Sequence, residues 1–234
     1  MKDLIKKRFL RAEHSYNAHA IIQNQMQDKL LSLLPKKSFD SIFEFGAGTG
    51  GFTQKITHCL QYERFLCNDI IDYAHHFPPQ IEFFSFDMNE ANLHLASKTF
   101  DLILSNACMQ WLNQELFFKN LDLFSKKDSI LAITCFGKEN LYEIRELTGF
   151  GLPYLELACY EKFLKQNWKI LHLFEERVCL SFGRALEVFS HLQSTGTNAL
   201  AKDAKITKKT LQDLENKYHN TLTYHPIYLV AQRC

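Results

Sequence analysis

The chain has 234 residues, a length that suits one large α/β domain or one domain with an insert. Hydrophobic residues make up 46% and charged residues 23%, an ordinary globular composition, and twenty Phe can fill a core well. A formal net charge of +1 argues against a dedicated duplex-DNA binder, which needs a broad basic face.

Residues 1–34 read as helix, basic at first (Lys2, Lys6, Lys7, Arg8, Arg11) and closed by Pro35. SIFEF (41–45) is a short strand that runs into a glycine loop, and FTQKITHCL (52–60) puts Phe52, Ile56, Cys59 and Leu60 on one helical face. RFLCND (64–69), IEFFSFD (81–87), FDLILSNA (100–107) and SILAITCF (129–136) are four further strands, with an amphipathic helix at 113–125. Their continuous apolar runs fit strands covered on both faces. The alternation predicts a parallel, doubly wound sheet. After residue 136 the rhythm changes. A long, partly alternating run (170–182), helices at 184–193 and 207–219, and a last strand (223–234) predict an antiparallel pair that finishes the sheet. Pro226 inside that last run suggests an edge position or a bulge.

The seven Cys are an odd number without a C-x-x-C pair, and most lie in apolar runs. This usage is that of reduced, buried cysteine, with neither a disulfide framework nor a metal site expected. The N-terminus lacks an apolar signal core and no run reaches the length of a membrane span, so a cytoplasmic location is expected.

The loop IFEFGAGTGGF (42–52) admits two spacings. Gly46, Gly48 and Gly51 fit the dinucleotide fingerprint G-x-G-x-x-G. Glu44, Gly46, Gly48 and Gly50 fit E-x-G-x-G-x-G instead. Either loop brings backbone close to a ligand at a helix N-terminus. Glu44 separates the two: a carboxylate opposes pyrophosphate but suits a ligand with an α-amino group and a sulfonium, as in S-adenosylmethionine (SAM). Asp69, ending the second strand, can accept both ribose hydroxyls, which both cofactors carry. Asp87, ending the third, can accept from an adenine amino group, with Met88 beside the ring. An Asp that ends a strand is often only a helix cap, but three rim acids and a glycine loop in order favour a nucleoside, and SAM over NAD.

At this point the chain resembles the class I SAM-dependent methyltransferases, over residues 40–136: EFGAGTG (44–50) resembles the first motif, Asp69 the second acid, and FDLILSNACMQW (100–111) the fourth strand and its exit loop. A narrower resemblance is to the malonyl-acyl-carrier-protein O-methyltransferases of biotin synthesis. It is carried by Phe9, Ala12, Tyr16, Ala20 and Gln23, by Ser105, Asn106, Gln110 and Trp111, and by HLQSTGTN (191–198). Departures are Ala47 where Cys is common, SKKDS (125–129) in place of an L-x-P-G-G turn, and Asn17 in place of Asp.

The resemblance implies one Rossmann-like methyltransferase domain over 1–234, mostly parallel with an antiparallel C-terminal strand pair and helices on both faces. Residues 1–35 would cap the active site, 40–136 would form the SAM-binding core, and 137–234 would supply substrate-side helices and the last strands. It implies SAM as cofactor, S-adenosylhomocysteine (SAH) as product and no metal. Gln23, Glu44, Gly46, Ala47, Gly48, Thr49 and Gly50 would contact SAM, with Ile70 beside Asp69, Met88 beside Asp87, and Asn106. The implied reaction caps the free carboxylate of a malonyl thioester as a methyl ester. That carboxylate is ionised at neutral pH, so no general base is needed. A carboxylate holder is needed instead. Arg145 is the first candidate and Arg184 the second, since a guanidinium binds carboxylate bidentately. Tyr16 is expected to line the methyl-transfer pocket, with simple packing as the alternative, and Trp111 to wall it. His14 and His191 read as local polar or core residues. An acidic carrier protein would dock on Lys6, Lys7, Arg8 and Arg11, or on Lys202, Lys205, Lys208 and Lys209; a solvated helix face is the bland alternative for each cluster. The competing function is a class I methyltransferase for another small acid, a quinone or a nucleic acid.

Overall fold

The computed structural model describes residues 2–13, 15–149, 151–195 and 206–234. Lys202 and Lys205, His14 and residues 196–198 of the HLQSTGTN segment lie outside them. In chain order, three helices come first: α1 (Lys2–Ala12), α2 (Tyr16–His19) and α3 (Ile21–Ser32). Then follow β1 (Ser38–Phe45), α4 (Gly51–Cys59), β2 (Gln61–Asp69), β3 (Glu82–Ser85), α5 (Ala91–His94), β4 (Phe100–Asn106), α6 (Gln114–Asn120) and β5 (Ser125–Phe136). The remainder is α7 (Tyr142–Thr148), α8 (Leu157–Leu164), β6 (Trp168–Glu175), β7 (Val178–Ser181), α9 (Ala185–Ser194), α10 (Lys208–Tyr218), β8 (Thr221–Tyr224) and β9 (Pro226–Arg233). The chain divides into two compact units.

The larger unit holds residues 23–135, 156–175 and 227–234. Its seven-stranded sheet runs β3-β2-β1-β4-β5-β9-β6. β1 lies parallel to β2 and β4, β2 to β3, and β4 to β5, while β6 and β9 are antiparallel. The expected mostly parallel sheet with an antiparallel finishing pair is therefore present. Side chains of β1 alternate between its faces. Ile42 joins Leu30, Phe52, Ile56, Leu102 and Ile130 in one buried layer, made with α3 and α4. Phe43 and Phe45 form an aromatic layer with Phe100, Phe117 and Phe124, the Phe43 and Phe100 rings stacking at 4.9 Å. Burying a Phe side chain contributes about 1.5–3 kcal/mol, so these two layers fix β1, and with it the loop at its end. β3 is a short, exposed edge strand. Buried Asn68 pins its end, donating to the Phe84 and Phe86 carbonyls at 3.1 and 3.0 Å.

Two late boundaries differ from the sequence expectation. The run 170–182 is not one strand: it breaks at Glu176 and Arg177, and β7 pairs with β8 in a separate two-stranded sheet. Arg177 at the break binds Glu139 through two hydrogen bonds of 2.5 and 2.7 Å. The last run breaks too, at His225. Pro226 opens β9, an interior strand between β5 and β6, where a first residue can lack an N–H without cost to the ladder. In SKKDS, Asp128 takes a left-handed φ of +63°, the conformation usually left to glycine, beside a register shift in the β4–β5 pairing.

The smaller unit holds residues 1–22, 136–155 and 176–226. It gathers α1, α2, α7, α9 and α10 with the β7–β8 sheet. α7 ends on Gly149 at φ +73°, and α10 starts on a capping box between Thr207 and Thr210.

Candidate active site

Glu44 and Asp69 lie at the carboxyl ends of β1 and β2, whereas Asp87, expected to end the third strand, lies two residues beyond β3. Between β1 and α4 the backbone turns on three glycines. Gly46, Gly48 and Gly50 adopt left-handed φ of +68°, +55° and +83°, whereas Gly51 is already helical. The three turn glycines are those of the E-x-G-x-G-x-G pattern; Gly51, in the first turn of α4, stands where the third glycine of a dinucleotide fingerprint also packs, so it does not separate the two readings. Gly46 has no room for a side chain: a Cβ there would lie 2.5 Å from Cys108 Sγ. A Cβ at Gly48 would meet nothing within 4 Å, so open space adjoins the loop backbone where a ligand would approach. Ala47 is buried and Thr49 half-buried.

Glu44 is 1% exposed. Its Oε2 accepts from Thr53 Oγ1 at 2.6 Å and from Cys67 Sγ at 3.8 Å, while no hydrogen bond from the described residues reaches Oε1. Burial raises its pKa from 4.5 to about 8, against the opposing bonds from Thr53 and Cys67, and the charge of Asp69 adds to the rise. With its pKa at about 8, Glu44 is mostly protonated at neutral pH. Thr53 sits in the first turn of α4, on the face turned toward β1. Its helical position was readable in the sequence, its role as the partner of Glu44 was not.

Asp69 is held by backbone amides, Gly48 N–H donating to Oδ2 and Ile71 N–H to Oδ1, each at 3.0 Å. A carboxylate oxygen can accept from more than one donor. Half-buried Ile70 follows it. Asp87 caps a 3-10 turn at 88–90, accepting from Asn89 N–H at 2.9 Å, and Met88 beside it is buried. At the end of β4, Asn106 Oδ1 accepts from Thr134 Oγ1 at 2.6 Å and its Nδ2 donates to the Gln23 carbonyl at 3.3 Å. Gln23 and Asn106 are therefore brought together. Ala107 turns the chain there at φ +52°, and half-buried Trp111 ends the next 3-10 turn. A glycine loop with open space beside it, an acid free at one oxygen and an Asp fixed by two amides fit a cofactor that carries an ammonium and a ribose.

Tyr16, Arg145 and Arg184 belong to the smaller unit. Tyr16 starts α2, half-buried, its ring 6.3 Å from that of Phe9. Arg184 is exposed and engaged by Glu187 at 3.1 Å. Arg145 is half-buried on α7. The same unit gathers phenols that sequence reasoning did not single out. The Tyr224 hydroxyl lies 2.7 Å from Nε2 of buried His191. Burial, then the neighbouring Tyr16, Tyr154 and Glu143, push the Tyr224 phenol up. Burial, helped by the charge of His19, pushes the His191 imidazole down and keeps it neutral.

This sheet order, with a glycine loop after β1 and acids at or just past the ends of β1 to β3, is the fold of the class I SAM-dependent methyltransferases. Solved structures agree. A putative methyltransferase from Bacillus halodurans superposes with a TM-score of 0.64, at 12% identity, covering 88% of this chain and 97% of its own. The N-methyltransferase NodS from Bradyrhizobium japonicum, in complex with SAH, gives 0.54 at 12% identity, covering 90% and 86%. No family model matches the chain. Curated relatives do. The malonyl-[acyl-carrier protein] O-methyltransferase of Calditerrivibrio nitroreducens is 33% identical over 97% of this chain and 96% of its own. That of Bacteroides thetaiotaomicron is 32% identical over 99% and 98%, and that of Haemophilus influenzae 30% over 99% and 94%. The chain belongs to the malonyl-[acyl-carrier protein] O-methyltransferase family and is a methyltransferase. Among the described residues no helix is long and apolar enough to cross a membrane.

Proposed function

We propose that the protein transfers a methyl group from SAM to the free carboxylate of a malonyl thioester on acyl carrier protein, in the cytoplasm, forming the methyl ester that starts pimeloyl and biotin synthesis. The observation that carries this reading is the match, over nearly the whole chain, to relatives of that name. SAM supplies an activated methyl group on a sulfonium. In this reading the open Oε1 of Glu44 meets the amino end of the cofactor, Asp69 accepts from the ribose hydroxyls, and Asp87 and Met88 border the adenine. The backbone of 46–50 lies along the ligand, with Gln23, Ile70, Asn106 and Trp111 around it. The protein's task is to orient and desolvate, because the acceptor is already a carboxylate and needs no base. Arg145 holds that carboxylate, and Tyr16 belongs to the same acceptor-side set.

The acidic carrier docks on exposed lysine and arginine. Lys7 and Arg11 are exposed on α1, beside half-buried Lys6 and Arg8. Lys208 and Lys209 are exposed in the first turn of α10, where positive charge opposes the helix dipole and so gains nothing for the helix itself. The test is transfer from labelled SAM to malonyl-carrier protein, with malonyl-CoA and glutaryl-carrier protein alongside. Preferred labelling of malonyl-carrier protein is expected. Labelling of none of the three would overturn the reading.

A further inference from the structure

Arg145 on α7 makes no direct ion pair within its own helix, and its charge reaches Glu146 only through space. Its aliphatic stem lies against the backbone of Gly151, where an added Cβ would stand 2.9 Å from Cδ. The two nearby acids, Glu143 and Glu146, stand at spacings that do not face Arg145 on a helix. Each also has another partner. Glu146 accepts from Lys217 at 2.8 Å and from Tyr218, and Glu143 Oε1 accepts from Thr223 at 2.6 Å. Among the described residues the guanidinium makes no hydrogen bond and no ion pair.

Left-handed Gly149 closes α7 and turns the chain back, so that 151–154 passes Arg145. There Tyr154, 8% exposed, accepts from Asn140 Nδ2 at 3.0 Å. Asn140 is 3% exposed and is itself anchored, its Oδ1 accepting from His225 N–H at 3.3 Å. A phenol oxygen that accepts still has its own proton to donate, and no acceptor for that proton occurs among the described residues. Burial pushes the Tyr154 phenol up despite Asn140 and the charge of Arg145, so it remains a donor at neutral pH, within electrostatic reach of the guanidinium.

We propose that Tyr154 is a second holder of the acceptor carboxylate, its hydroxyl donating to one carboxylate oxygen beside Arg145. The inference rests on the reading that the acceptor is a carboxylate. Its chemical logic is that one oxygen must attack the methyl group and therefore must keep a lone pair. A guanidinium gripping both oxygens would blunt the nucleophile. A guanidinium and a phenol converging on the non-reacting oxygen neutralise and orient the group and leave the other oxygen free. An uncharged acyl end offers no such partner, so the pair selects anionic acceptors.

The test compares wild type, Tyr154→Phe, Arg145→Lys and the double variant. The readouts are KM and kcat for malonyl-carrier protein, SAH affinity by calorimetry and Tm. A hydrogen bond to a charged group implies a rise in acceptor KM of roughly tenfold or more in Tyr154→Phe, with SAH affinity unchanged. The double variant is expected to lose less than the product of the single losses, because both groups hold one carboxylate. An unchanged acceptor KM in Tyr154→Phe, or equal losses in SAH affinity and acceptor KM, overturns the inference. If the wild type methylates another carboxylate thioester, the same ratios are read on that substrate. If it methylates no carboxylate at all, the proposed function fails and this inference with it, an outcome distinct from an active wild type with an unaffected variant.

Discussion

Glu44→Gln isolates the ionisation of a single buried acid. Gln has the same shape and its carbonyl oxygen can still accept from Thr53, so the change removes the titration and little else. In the folded protein Glu44 holds its proton up to about pH 8, against 4.5 for an unperturbed carboxyl. The folded state therefore binds this proton more tightly than the unfolded chain, and the group favours folding fully only below pH about 4.5. That contribution declines as pH rises and is lost on passing through about pH 8. At about 1.4 kcal/mol for each pH unit crossed, the full effect is about 5 kcal/mol, of which about 3 kcal/mol falls between pH 5 and pH 8. Cys67 is pushed well above its usual value by burial and by Glu44, so it stays neutral across this window. The assay is urea unfolding of both proteins in steps from pH 5 to pH 8. The wild type should lose about 3 kcal/mol more than the variant over that range. A second arm measures SAH affinity. If the SAH ammonium draws the proton off Glu44, wild-type affinity rises with pH toward 8, and that of the variant does not. Parallel stability curves for the two proteins would refute the argument from burial, and parallel affinity curves the proposed contact.

Two further outcomes follow from the glycine loop and the core. Gly46→Ala drives a methyl into Cys108, 2.5 Å away, at a left-handed φ, and should lower both Tm and SAH affinity strongly. Gly48→Ala meets no atom within 4 Å, so its stability cost should be only the left-handed strain of about 1–2 kcal/mol, while SAH affinity falls because the methyl enters the ligand's space; calorimetry and thermal scans on both variants distinguish the two patterns. Phe43→Ala, at a fully buried position stacked on Phe100, should cost about 3–5 kcal/mol in urea unfolding.

What was legible in the sequence was what local pattern encodes. Buried parallel strands are written as continuous apolar runs, so β1, β2, β4 and β5 could be placed, as could α4 from Phe52 and Ile56. The late strands were harder because the residues at their breaks have partners distant in sequence. Arg177 at the end of one run binds Glu139, and Pro226 begins an interior strand whose neighbours come from far along the chain. Tyr154 lies in GLPYLEL, which has no period, and the bond it accepts from Asn140 is made between segments that local pattern does not connect.

Glu44 shows a subtler gap. Its identity pointed to a cationic ligand on the argument that a carboxylate would repel phosphate. The fold changes the reason. Burial keeps Glu44 neutral at pH 7, so a phosphate would meet no fixed negative charge there. The selectivity lies instead in what each ligand can do to the proton. An ammonium near Oε1 lowers the cost of ionisation and gains a charge-assisted hydrogen bond. An anion makes ionisation costlier still and meets an uncharged acid, whose open hydroxyl can donate one hydrogen bond but gains no charge pairing. The same burial that raises the pKa thus lets the acid gain charge pairing from a cation, while toward an anion it is only a neutral donor. This is a conditional discrimination that the letters E-x-G-x-G-x-G cannot express without the wall formed by Thr53 and Cys67.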